Sequence, residues 1–143
     1  MDDSFDPFDL ERFVEAQGPV MEQVRSELRV GRKRGHWMWF IFPQIRGLGS
    51  SATAVHYAIA SREEAAAYLK HPVLGPRLVD CTRLVLAVRG RTSGEIFGDV
   101  DSMKFRSSMT LFAAATLRET AFEEALQKYF DGVEDALTLE ILE

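Results

Sequence analysis

Apolar residues recur at intervals of three and four along almost the whole chain, the spacing that gathers them on one face of an α-helix. Phe8, Leu10, Phe13 and Val14 share such a face behind Asp6-Pro7. That pair predicts a helix start, since aspartate caps and proline loses no hydrogen bond in the first turn. Gly18-Pro19 interrupts the run. A second helix is expected from about Pro19, carrying Val20, Val24 and Leu28 and ending near Gly31. Ser50 or Ser51 caps a helix predicted to reach about Ala60. Ser61 and Glu64 stand at the spacing of a capping box, ahead of Ala65, Ala66, Tyr68 and Leu69, and His71-Pro72 stops that helix.

The pattern continues from Leu74 to Val88 with Leu78, Cys81 and Val85, closing at Gly90. Thr92 or Ser93 opens one helical turn through Ile96-Phe97. Asp99 or Asp101 caps a helix predicted from about Ser102 to Leu117, with Phe105, Met109, Phe112 and Ala113 as its inward stripe. Thr120 starts another with Phe122, Leu126, Tyr129 and Phe130, stopped by Gly132, and Glu134 to Glu143 reads as a last helix. One stretch resists. Between Gly35 and Ile45 the run Trp37-Met38-Trp39-Phe40-Ile41-Phe42 is apolar at every position, and periodicity cannot settle a segment buried on all sides. No second segment reads as its strand partner, so a short helix or an extended buried segment ending at Pro43 is expected. The fold class predicted is all-α: a single compact multi-helix domain over residues 1–143, with about seven to eight helices and no substantial sheet.

Composition narrows the setting. A length of 143 residues suits one domain, and 46% hydrophobic with 27% charged residues is ordinary for a soluble globular protein. A formal net charge of −5 argues against general nucleic-acid binding, leaving Arg29, Arg32, Lys33 and Arg34 as the one basic run. The apolar run from Gly35 to Ile45 is too short to span a bilayer, and the acidic Met1-Asp2-Asp3-Ser4 opening does not resemble a signal peptide. Cys81, alone, cannot form an internal disulfide, which points to a reducing compartment. A cytoplasmic monomer without membrane association is expected.

Candidate chemistry concentrates in two places. The turn Arg46-Gly47-Leu48-Gly49-Ser50-Ser51 combines glycines that allow close backbone approach with serines at a helix start, where orphan N–H groups favour an anion. Arg46 adds a fork of donors suited to phosphate or carboxylate. Taken alone, the turn reads as a glycine-rich loop with a serine N-cap. The neighbouring Trp37 and Trp39 shift that balance, because an indole face beside basic residues is what stacking on a base or sugar requires. At least one of the two is expected in the core. His36 is a candidate general acid or base but reads first as a structural hydrogen-bonder, and Gln44 either meets a ligand edge or braces its loop. In the second place, Asp101, Lys104 and Ser108, or Ser107 in its stead, lie at helical spacings of three and four, as a site wall or as an Asp–Lys pair at a helix start. His36, His56 and His71 show no ligand spacing, so no metal or cofactor is expected. No nucleophile elbow or phosphate-binding motif of the Walker type is present.

The strings Gly35-His36-Trp37-Met38-Trp39-Phe40-Ile41-Phe42-Pro43-Gln44, Gly47-Leu48-Gly49-Ser50-Ser51, Leu74-Gly75-Pro76-Arg77-Leu78, Ile96-Phe97-Gly98 and Lys104 with Ser107-Ser108-Met109-Thr110-Leu111-Phe112 resemble one family. It is the bacterial domain-of-unknown-function family numbered eighteen-ten, and the resemblance runs from Asp6 to about Thr138. It implies an all-helical domain and no established activity, substrate or cofactor, so it transfers no functional residue. Two functions therefore compete. One is binding of a small anionic, phosphorylated or nucleotide-like ligand, with or without catalysis, in a cleft lined by residues 36–51 and 101–110. The other is a protein-interaction module using exposed aromatic and arginine side chains. The sequence further predicts Phe40, Phe105, Met109, Phe112 and Leu126 in the core, one indole edge open to a cleft, and both polar segments on that cleft with His36 and Gln44 at its rim.

Overall fold

In the computed structural model residues 5–143 are described; the acidic opening, residues 1–4, whose reading as no signal peptide is given above, lies outside them. They form α1 (Glu11–Gln17), a 3-10 turn (Gly18–Val20), α2 (Met21–Val30), α3 (Met38–Ile41), α4 (Ala52–His56) and α5 (Arg62–Lys70). The chain continues with α6 (Leu74–Ala87), α7 (Ser93–Phe97), α8 (Asp99–Ala114), α9 (Ala121–Phe130) and α10 (Ala136–Leu142). The protein is all-α. Among the described residues the β-type pairing is a single isolated parallel bridge, Ile45 to Ile59. It forms because α4 stops at His56 instead of reaching Ala60, and the freed backbone at Ile59 exchanges hydrogen bonds with Gln44 and Arg46.

α8 is the axis. It packs against α5, α7, α9 and α10, and its residues 107–112 are all buried. Phe105, Met109, Leu111 and Phe112 are fully buried, and so are the hydroxyl residues Ser108 and Thr110. Buried hydroxyls need partners. Thr110 donates to the Arg106 carbonyl at 2.9 Å and accepts the Asp135 N–H at 2.9 Å. Ser102 bonds Ser93 at 2.6 Å, tying α7 to α8, and Ser107 donates to the Met103 carbonyl at 3.1 Å. Ser108 Oγ alone has no partner among the described residues.

The aromatic stretch folds as one helical turn. α3 covers Met38 to Ile41, and Phe42 then turns extended into Pro43. Phe42 is fully buried, meeting Phe105 edge-on at 5.0 Å and Phe97 edge-on at 5.9 Å, geometry that aromatic quadrupoles favour. Removing such a ring costs roughly 3–5 kcal/mol. Of the residues expected in the core, Phe105, Met109, Phe112 and Leu126 are there, whereas Phe40 is half-buried against Tyr57.

Helix ends follow local chemistry more closely than apolar spacing does. Ser51, Ser61 and Thr92 all accept the N3 amide, and only Thr92 completes a capping box, with Glu95. Glu64 does not return to Ser61; it accepts the Ala60 N–H and pairs with Arg12 at 2.9 Å. Arg12 also donates to the Phe8, Asp9, His56 and Ala58 carbonyls, binding α1 to the segment beyond α4. The helix predicted from Asp6-Pro7 begins only at Glu11, because Asp9 takes φ 53° and breaks the run. Asp6 still serves its start, accepting the Leu10 and Glu11 N–H groups. α8 begins at Asp99, three residues before the predicted start at Ser102, and ends at Ala114, short of Leu117. Gly31 closes α2 at φ 80°, where a Cβ would lie 2.9 Å from Val88 Cγ1.

Candidate functional site: a cleft between α8, α10 and the 44–51 connection

Glu27 organises the ground from which the cleft is built. It lies on the buried face of α2, 9% exposed, and its Oε1 accepts N–H groups of Arg34 at 2.7 Å and Gly35 at 2.9 Å and the Trp37 indole at 3.0 Å. Gln23 donates to Oε2 at 2.8 Å. Burial works to raise the carboxyl pKa. The donated hydrogen bonds outweigh it and hold the group at about 2, so Glu27 stays ionised. This node fixes residues 34–37 and encloses Trp37, which is 1% exposed. Sequence reading missed Glu27, since one glutamate in an amphipathic helix looks like any surface acid.

A chain of charges leads outward. Lys33 Nζ, nearly enclosed, bonds the Gly35 carbonyl at 2.6 Å and Asp101 Oδ2 at 2.8 Å. Asp101 Oδ1 stands 3.6 Å from Lys104 Nζ, and Lys104 sits over the Trp39 ring, 5.2 Å from its centroid. Two ammonium groups thus share one carboxylate. One positive charge remains uncompensated within this trio.

Lys104 opens on a cleft of about 530 Å³. α8 contributes Val100, Met103, Lys104 and Ser107 to it. The connection before α4 contributes Gln44, Leu48, Gly49, Ser50 and Ser51, with Trp39 at the base. The third wall is Asp135 and Leu137, at the start of α10. Asp135 caps that helix by accepting the Thr138 N–H, while Arg106 donates to the Val133 and Glu134 carbonyls and pins the connection to α8. The cleft therefore offers a cation, an indole, hydroxyls, an amide and one carboxylate. Its rim is apolar: Val100 is 71%, Leu137 60% and Met103 50% exposed.

Of the residues singled out by sequence, Trp39, Gln44, Gly49, Ser50, Ser51, Lys104 and Ser107 line this cleft. His36, Arg46 and Gly47 are exposed and are not among the residues that line it. Trp37 and Ser108 are in the core, and Asp101 acts behind Lys104 as its ion-pair partner. Asp135, Leu137, Val100 and Met103 were not anticipated; Asp135 carries a legible cap signal, but no local pattern brings α10 to the cleft. Of the basic run 29–34, Lys33 is spent on Asp101 and Arg29, Arg32 and Arg34 are exposed. Cys81 is buried, and burial pushes its thiol up to about 12. Among the described residues no group of three or more His, Cys, Asp and Glu is placed to hold a metal, and no helix is long and apolar enough to cross a membrane.

Residues 7–142 of this helical domain match the family described as "Protein of unknown function (DUF1810)", and the chain is a member of it. Among solved structures it is similar to a conserved hypothetical protein from Mycobacterium tuberculosis, with 60% sequence identity over 96% of this chain and 98% of that one and a TM-score of 0.95. No curated protein matches the chain.

Proposed function

We propose that the cleft between α8, α10 and the 44–51 connection binds a small anionic ligand of phosphorylated or nucleotide-like character. The observation that carries this reading is the Lys33–Asp101–Lys104 trio, whose one unbalanced positive charge faces a concave surface floored by Trp39. Asp135 across the cleft disfavours a bare anion and favours one that also brings hydrogen-bond donors, such as sugar hydroxyls. Ser50, Ser51, Ser107 and Gln44 supply further polar contacts. His36, Trp37, Arg46, Gly47, Asp101 and Ser108 are not direct contacts in this proposal. The reading goes with a single-domain, monomeric, cytoplasmic protein.

A thermal-shift and calorimetric comparison of nucleotides and sugar phosphates tests it, because a ligand that binds only the native state raises the melting temperature. The expected result is a saturable shift for at least one compound, weakened about tenfold or more by Lys104→Ala, a change of roughly 1.4 kcal/mol. Undiminished binding by Lys104→Ala, or no shift with any compound, would overturn it. One observation favours a second reading, docking of a protein partner: the exposure of Val100, Met103 and Leu137 around the cleft.

A further inference from the structure

A larger concavity lies elsewhere. α5, α6 and the connection after α8 enclose an open groove of about 850 Å³ that shares no lining residue with the cleft described above. Its floor is apolar, made by Ala66 and Leu69 of α5, Pro76 and Val79 of α6, and Ala115. The two helices meet closely beneath it, since a Cβ on Gly75 would fall 2.1 Å from the Leu69 carbonyl oxygen. Leu117, on the connection that forms one lip, is fully exposed.

The charges around this floor are unbalanced. Lys70 and Arg118 line the groove, and neither makes an ion pair among the described residues. The one acid present, Glu119, is already engaged: its Oε2 pairs with Arg83 at 3.0 Å and accepts the Ala121 N–H at 3.0 Å. Two uncompensated cations beside an apolar floor stand out in a chain whose 22 acids outnumber its 17 bases. Backbone donors add little here. At the start of α6 the Val73 and Leu74 N–H groups are taken by His71 Nδ1, the Gly75 N–H by the His71 carbonyl, and Pro76 has none. Recognition must come from the two side-chain cations and the apolar surface.

The geometry points to a second binding site, for an amphipathic carboxylate of fatty-acid type. Its apolar body lies on Leu69, Val79 and Ala115, and its carboxylate meets Lys70 and Arg118. A neutral chain lacks the charge contact; a short carboxylate lacks the apolar one. Both parts are needed.

Nuclear magnetic resonance titration of the 16.1 kDa protein with decanoate, decanol, decyltrimethylammonium and butyrate tests this. Decanoate is expected to give saturable amide shifts centred on Ala66, Leu69, Val79 and Ala115, with the other three at least about fivefold weaker. Lys70→Glu with Arg118→Glu, both at exposed positions, is expected to weaken decanoate about tenfold or more. Arg29→Glu with Arg34→Glu, which changes net charge equally outside the groove, is expected to retain it. Shifts that spread over the surface, equal binding of decanol, equal loss in both charge-reversed pairs, or undiminished binding by the Lys70/Arg118 variant would overturn the proposal.

Discussion

Replacing Glu27 by glutamine removes the charge from the node that holds residues 34–37 while keeping the side chain's shape. Three donors converge on Oε1 and a fourth on Oε2, and the group sits at about 2 instead of its ordinary 4.5. At about 1.4 kcal/mol per pH unit, that depression corresponds to about 3 kcal/mol of folding free energy. The sign follows from the direction. A carboxyl whose folded pKa is lowered stabilises the protein above its unfolded pKa, and the contribution is lost as pH falls from near 4.5 toward 2. Urea unfolding followed by circular dichroism between pH 7 and pH 3 reads this directly. Glu27→Gln is expected to be about 3 kcal/mol less stable than wild type at pH 7 and only about 1 kcal/mol less stable at pH 3. The narrowing gap is the diagnostic. A gap that stays constant with pH would mean that Glu27 acts through packing alone, and the charge argument would fail.

Two further substitutions probe α6 and α8. Gly75→Ala should lower stability by about 2 kcal/mol or more in the same urea assay, since its methyl would meet backbone rather than a movable side chain; an unchanged midpoint would show that α5 and α6 are less tightly apposed than described. Ser108→Ala should be neutral or stabilising by up to about 1 kcal/mol, because the hydroxyl is buried without a partner; a loss above about 2 kcal/mol would reveal a hydrogen bond at that oxygen.

What was legible in the sequence is local chemistry. Ser61 announces its helix, and the caps Ser51 and Thr92 are legible to within one residue, because a cap needs only the three residues that follow; Gly31 marks its helix's stop through equally local chemistry. α8 was less legible. Residues 107–112 are all buried, so hydroxyls and apolar groups there do not sort onto opposite faces, and Gly98 offers no side-chain cap to mark the start, which lies three residues ahead of Ser102. The candidate cleft divides along the same line. Lys104 and Asp101 are neighbours in a helix and their pairing could be read directly, but the closer partner of Asp101 is Lys33, distant in sequence and brought near by folding. Asp135 and Leu137 join the cleft only because Thr110 and Arg106 tether α10 to α8. Arg46 looked like the anion contact of its turn, yet it is exposed and outside the residues that line the cleft.

Trp37 and Trp39 are the only tryptophans of the chain, and the start of the one-turn helix α3, with Trp37 at its cap and Trp39 in its first turn, sends them into opposite surroundings. Trp37 is sealed in the core with its indole N–H on a carboxylate, whereas Trp39 is half-buried beneath an ammonium group at the cleft. The protein therefore carries two intrinsic fluorophores with separate duties. A soluble quencher reaches Trp39 and not Trp37, so the quenchable part of the emission follows occupancy of the cleft and the protected part follows integrity of the core.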